Sequence, residues 1–557
     1  MSQNALDAAS TAVGPVNRRS FLNLVALGAG AVGVPSLLTA CTSTAPAGPV
    51  EGGGTVSSDV LPSYVPIEYV APDFPGVNGS TAGYAAIPDE LVTAFEAPPA
   101  SGGTYTAMTP LWSAIPKIDG NPYFEAVGAA MGATIDFRIS DGNTYGDKLA
   151  AVLASEKDVP DWVCIPTWNV PPRFGQAVEA LFEDLTPYLS GDNITRYKNL
   201  ANLPTDAWRY CVFNDKLYGL PFPGEVIQNA TFHRADIFAE LGVTEQPRDA
   251  EEFIELAKEL TDPDKNRWGS ADQWVAANMM FAVPPQNNWK LADDGSLVSR
   301  MESEEYRAAL DWQARLYASG AVHPDAVADK AEEIKPLFEA GEIVIATDGV
   351  GGWHESLGRV LPGNPDFDPR PFAPIAHDGG TPVVWKGAPA NIFSFLKKRE
   401  NKAEIEELLA AADFLASPFG TTEYQLINYG VEGEHYTLDG DGLPVPTEAA
   451  ATEVAQSYIF LVDPPVVNTK VQYPGFVEAY CTWMADASQY VTEPLFYGTQ
   501  ITEPQRFASL NAPFDDLEKD IARGRKTLAD LDEAVETWRS SGGDELRAFY
   551  QDILDKQ

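Results

Sequence analysis

Apolar and polar residues alternate through Ile135-Asp136-Phe137-Arg138-Ile139, which predicts a strand with one buried face. Leu149, Val152 and Leu153 follow at helical spacing, and Trp162-Val163-Cys164-Ile165 has the unbroken apolar run of a short buried strand. Further on, Asp249 and Glu252 form a capping pair ahead of Phe253, Leu256, Ala257 and Leu260. Ile343-Val344-Ile345-Ala346 predicts another buried strand. The i, i+3, i+4, i+7 stripe of an amphipathic helix recurs at Ile405, Leu408, Leu409 and Ala412. It recurs again at Leu531, Ala534, Val535 and Trp538, and at Leu546, Phe549, Tyr550 and Ile553. Strands interleaved with amphipathic helices predict an α/β fold.

The N-terminal end has a different pattern. Arg18-Arg19 precedes Ser20-Phe21-Leu22, and an uncharged, small and apolar stretch runs from Leu24 to Leu38. That is about fifteen residues, short of the roughly twenty a hydrocarbon core requires. It ends at Leu38-Thr39-Ala40-Cys41, which resembles a bacterial lipobox, where the thiol receives a diacylglycerol. Residues 1–40 therefore read as a twin-arginine signal peptide, and Cys41 as the lipidated residue. Gly28-Ala29-Gly30-Ala31-Val32-Gly33 fits the dinucleotide pattern by letter only, since no strand precedes it. Residues 41–103 read as a tether. Thr42 to Thr55 is too rich in Pro, Gly, Ser and Thr to fold. Tyr64, Tyr69, Phe74 and Tyr84 then suggest an extended arm lying along the globular body.

Composition narrows the function. The 557 residues carry 80 acidic against 38 basic side chains, a formal charge of −42, which argues against nucleic acid as a partner. A 45% apolar share is ample for a sizeable core. With Cys41 acylated, only Cys164, Cys211 and Cys481 remain, so this is no disulfide-stapled scaffold. His233, His323, His354, His377 and His435 are scattered and make no metal spacing. There is no H-E-x-x-H, G-x-S-x-G or phosphate-loop motif.

Several stretches, in order, resemble the family 1 extracellular solute-binding lipoproteins of ABC importers, especially the long branch similar to alginate-oligosaccharide and aldouronate binders. They are residues 158–163 (Asp-Val-Pro-Asp-Trp-Val), 182–189 (Phe-Glu-Asp-Leu-Thr-Pro-Tyr-Leu), 214–221 (Asn-Asp-Lys-Leu-Tyr-Gly-Leu-Pro) and 338–342 (Phe-Glu-Ala-Gly-Glu). Residues 430–436 and 542–545 continue the series. The resemblance spans roughly residues 104–557. It implies a two-lobed, periplasmic-binding-protein-like type II fold with a hinge and a cleft. One lobe would take 104–222 plus about 386–430, the other about 223–385 plus about 431–557. It further implies an ABC-transporter binding component, a monomer and not an enzyme. Such a protein would sit on the outer face of the cytoplasmic membrane and pass a carbohydrate, an oligosaccharide for preference, to membrane permease subunits.

A carbohydrate cleft needs aromatic platforms for flat C–H faces and polar side chains for hydroxyls. Trp168 and Asn169 follow the 162–165 strand, and Trp353 follows the Ile343 strand across a glycine-rich loop with Asp348 and His354 on either side. Trp112 and Glu225 complete the candidate contacts. Trp274, Trp289, Trp385 and Tyr429 are expected to pack instead. The alternative function is a secreted, lipid-anchored glycoside hydrolase or polysaccharide lyase. No cofactor is expected. Asp262, Asp264 and Asn266 have the oxygen spacing of a calcium loop, but Arg267 stands at the usual glycine, so an ordinary Asp-Pro turn is the expectation.

Overall fold

The structure is a computed structural model that describes residues 53–54 and 58–556, apart from 172–173, 286–288, 329, 331–333, 441, 499 and 502. Arg18, Arg19 and Cys41 lie outside the described residues.

Nine strands build two sheets: β1 (Thr104–Leu111), β2 (Thr134–Asp141), β3 (Trp162–Pro166), β4 (Gly219–Pro223), β5 (Asn229–Arg234), β6 (Trp268–Ser270), β7 (Ile343–Gly349), β8 (Pro369–Pro371) and β9 (Ala390–Leu396). The first sheet has the order β2-β1-β3-β9-β4 and the second β6-β7-β5-β8. In the first, β2, β1 and β3 run parallel, while β9 is antiparallel to both β3 and β4. One edge of this sheet therefore carries the C-terminal ends of β1, β2, β3 and β4.

The helices that matter here are α1 (Pro122–Met131), α2 (Tyr145–Leu153), α3 (Ala250–Leu260), α4 (Trp274–Met280), α5 (Gly352–Val360), α6 (Lys402–Leu415), α7 (Phe476–Ser488), α8 (Leu528–Trp538) and α9 (Asp544–Leu554). Each strand and helix read from periodicity is present. Asp249 caps α3 by accepting the Glu252 amide at 2.8 Å. Glu252 completes the cap one residue early, taking the Arg248 amide at 3.0 Å.

Core packing follows the two sheets. Trp162, Phe182, Phe395 and Leu408 are fully buried around the first, and the Trp162 indole donates to Ser394 at 2.7 Å. On the second sheet, Val344 and Ile345 face a cluster with Phe253 and Trp312, whereas Ile343 and Ala346 face Phe232, Trp353 and Tyr480. The lobe boundaries expected from sequence assign all of 431–557 to the second body, yet Ala455, Tyr458, Leu461 and Val462 pack into the first core. An apolar run of this length goes wherever it can bury its area, at roughly 25 cal/mol per Å².

Three segments pass between the sheets. Residues 224–228 leave β4 for β5, and 372–389 return to β9. These two are bonded where they pass, Gly224 N–H to Pro389 O and Gly387 N–H to Val226 O, both at 2.8 Å. The third connects Val462 of the first core with Val471 of the third cluster. The arm is held by scattered backbone bonds rather than by a sheet: Val65 N–H to Ala201 O at 2.7 Å, Tyr84 N–H to Asn468 O at 2.9 Å, and Ala100 N–H to Met131 O at 3.0 Å. Cys164, Cys211 and Cys481 are all buried free thiols. No helix among the described residues is long and apolar enough to cross a membrane.

Candidate functional site

The C-terminal edge of the first sheet presents aromatic rings to solvent. Trp168 sits on a three-residue 3-10 turn, Thr167–Asn169, directly after β3, and is 57% exposed. Such a turn is too short to have a packing face. Trp112 follows β1 and is 42% exposed, with its ring centre 6.2 Å from that of Trp168. Gly142 at the end of β2 makes room for it, since a Cβ there would run into the indole. Phe460 meets Trp112 edge-on at 5.7 Å and stacks on Phe222 of β4 at 6.1 Å. Beside Trp168, the Asn169 side-chain oxygen is buried without a partner among the described residues. A buried acceptor left open costs about 1–3 kcal/mol unless something bonds it.

The crossing segment continues this surface toward the second sheet. Burial pushes the Asp463 carboxyl up to about 7 and lowers the Lys470 ammonium, against the attraction each exerts on the other. Burial, with Lys470, Lys335 and Arg359 adding to it, holds the His354 imidazole well below its ordinary value, so it is neutral at pH 7. Lys335 bonds Asp348, at the end of β7, at 3.1 Å, and Glu355 at 3.3 Å. Together these groups make a groove with aromatic faces on one wall and partly desolvated polar groups on the floor and the other wall. That combination suits a ligand with flat apolar faces and many hydroxyls.

Not every expected contact lies on this surface. Trp353 is only 4% exposed, with Phe232 at 5.8 Å, Phe476 at 5.1 Å and Tyr480 at 6.1 Å. It belongs to the core, because α5 begins at Gly352 and turns the indole inward. Glu225 is not a solvated carboxylate: it accepts from the Tyr480 hydroxyl at the first crossing, and burial pushes it up to about 7. Trp289 packs against Trp538 and Tyr550 as expected. Trp274 and Trp385, also expected to pack, instead line a cavity of ≈ 600 Å³ on the far side of the crossing strands. Phe460, Asp463 and Lys470 were not anticipated. Their one signal is an apolar run, 458–462, that ends abruptly in an acid and two prolines.

The calcium reading does not fit the residues present. Asp262 pairs with Lys265 at 3.1 Å, and the Asn266 amide donates to Glu342. Asn266 closes the turn at φ 55°. Among the described residues no three acidic, His or Cys side chains group as a metal site.

The sequence profile of the bacterial extracellular solute-binding proteins matches residues 116–421, more than half of the chain. The chain belongs to that family. This solute-binding protein is 24% identical to lipoprotein LipO of Bacillus subtilis (strain 168), over 80% of its own length and 91% of the relative's. It is 21% identical to the polygalacturonan/rhamnogalacturonan-binding protein YtcQ of the same organism, over 65% of this chain and 75% of the other. Its structure resembles that of alginate-binding protein AlgQ2 without calcium ion, with a TM-score of 0.59 at 16% identity, covering 84% and 100% of the two chains. The Streptococcus pneumoniae ABC-transporter substrate-binding protein FusA in complex with kestose gives 0.58 at 14% identity, covering 81% and 99%. The two-lobed α/β fold expected from the sequence is thus the fold of this solute-binding protein, whose work is to hold a solute rather than convert one.

Proposed function

We propose that this protein captures an oligosaccharide in the groove bounded by Trp112, Trp168 and Phe460 and delivers it to the permease of an ABC importer. The observation that carries this reading is the Trp112–Trp168 pair, exposed at a strand-end edge where indoles would otherwise be buried. Relatives described as binding polygalacturonan, rhamnogalacturonan, alginate or kestose support the substrate class. Asn169, Asp348, His354, Asp463 and Lys470 supply hydroxyl contacts, while Glu225 and Trp353 support the site from behind. The twin arginine at Arg18-Arg19 directs export, and Cys41 carries the lipid that holds the monomer on the outer face of the cytoplasmic membrane. In delivery, the solute must favour the closed setting of the lobes, since a ligand that binds both settings equally shifts nothing.

A panel of acidic and neutral oligosaccharides, read by thermal shift and calorimetry, tests the reading. A ligand at a hundred times its Kd should add about 2.7 kcal/mol of stability. A panel producing neither shift nor heat would overturn it. Cys41→Ser should release the protein from the membrane fraction, and retention there would remove the anchor.

A further inference from the structure

The ≈ 600 Å³ cavity lies across the two bonded crossing strands from the groove. Sheet order places it there: Trp112 and Trp168 follow β1 and β3, whereas Tyr210, which lines the cavity, lies beyond β4 on the opposite side of the crossings. Its walls come from both crossing strands (227–231 and 383–388), from α4, from Trp483 of α7 and from residues 494–497.

Three properties of the lining define what fits. The first is charge. Of the described acidic side chains, in a chain with 80, none lines the cavity, while Arg300 and Lys386 do. The nearest carboxylates stand behind the wall: Glu493 at Lys386, Glu518 near Arg300 and Asp206 near Tyr210. The Arg300 guanidinium is committed to Pro284 O at 2.8 Å and Asn278 at 2.6 Å. Lys386 is the adaptable cation. Its partner Glu493, at 2.7 Å, is 61% exposed, and an exposed ion pair contributes little. An incoming anion can therefore take over the ammonium at small cost.

The second property is shape. Trp274, Trp385, Trp483 and Tyr497 offer flat faces, and Trp483 offers only its face because its N–H already bonds Phe372 O at 2.8 Å. The third is an open donor. The Trp385 indole N–H is buried and has no partner among the described residues, so a ligand acceptor would relieve it.

We propose that this cavity is a second ligand site, separate from the sugar groove, that takes a small, flat organic anion. Because its walls include both crossing strands, a bound ligand would brace them, and solute affinity would change with its occupancy in a reciprocal way.

The test is a fluorescence titration of the full chain with 8-anilinonaphthalene-1-sulfonate, a flat apolar ring system carrying one anionic group. Saturable one-to-one binding is expected. Lys386→Gln should weaken it about tenfold or more, as loss of a charge-assisted hydrogen bond does, while Trp168→Ala leaves it unchanged. Failure of the sugar reading would not affect this result, because Trp168 reports the groove alone. If Lys386→Gln does not fold, the uncharged N-phenyl-1-naphthylamine decides the matter on the native chain, and it should bind at least tenfold more weakly than the sulfonate. Absence of saturable binding, an affinity insensitive to the charge at Lys386 or on the probe, or a loss caused by Trp168→Ala would overturn the proposal.

Discussion

Trp168 and Trp353 each come after a buried strand and a short polar or glycine-rich stretch, and the structure puts them in opposite environments, 57% and 4% exposed. The next element of the chain makes the difference. After β3 comes a single 3-10 turn, which has no face to bury and leaves the indole over the sheet edge. After β7 the chain enters α5 at once, and an amphipathic helix must turn its large apolar residue onto the core, here against Phe232, Phe476 and Tyr480. An aromatic just past a strand is therefore a candidate ligand platform only if no helix begins at that point.

Substitution of Trp353 carries the largest expected effect. Trp353→Ala should cost about 3–5 kcal/mol of stability, as large-to-small core changes do, read as a lower Tm or an insoluble product. A stable variant with weakened sugar binding would return Trp353 to the groove. Trp168→Ala should do the reverse: stability within about 0.5 kcal/mol of native, as for a surface substitution, and sugar affinity reduced by about 2 kcal/mol, near thirtyfold.

A subtler contrast concerns Glu225, which supports the crossing next to the core that holds Trp353. Its folded value, about 7, lies above that of an unfolded carboxyl, so its contribution is fully present below about pH 4.5 and is lost as pH rises through 7. Glu225→Gln should therefore gain stability relative to native between pH 5 and pH 8, by up to about 2 kcal/mol, in Tm measured across that range. A constant difference would mean the carboxyl is not the titrating group. Asp262→Asn is the smallest change, losing an exposed pair with Lys265 worth about 0–1 kcal/mol. Adding a chelator or calcium should leave the Tm of both proteins in place, and a calcium-dependent rise would restore the metal reading.

Much of this architecture was legible in the sequence. Ile135 to Ile139, Trp162 to Ile165 and Ile343 to Ala346 are strands because their apolar residues can be satisfied in no other short element. Asp249 starts α3 because its carboxylate bonds an otherwise open amide. The aromatic wall was legible too, since Trp112 and Trp168 come after strands with no helix immediately behind. The opposite side of the groove was not. Asp463 and Lys470 sit on a crossing segment with no periodicity, and their altered ionisation comes from burial created only when both cores assemble. Glu225 looked solvated for the same reason: its partner Tyr480 lies 255 residues away. Trp274 and Trp385 looked like packing because aromatic character alone does not tell a filled core from a cavity wall.

The most decisive experiment is a calorimetric titration of the native chain and the Trp112→Ala/Trp168→Ala double variant with the oligosaccharide that most raises the native Tm. A sugar groove built on these two indoles requires a folded variant with near-native Tm whose affinity falls at least a hundredfold, about 2.7 kcal/mol or more. A folded variant that binds the sugar as tightly as the native chain would rule that groove out.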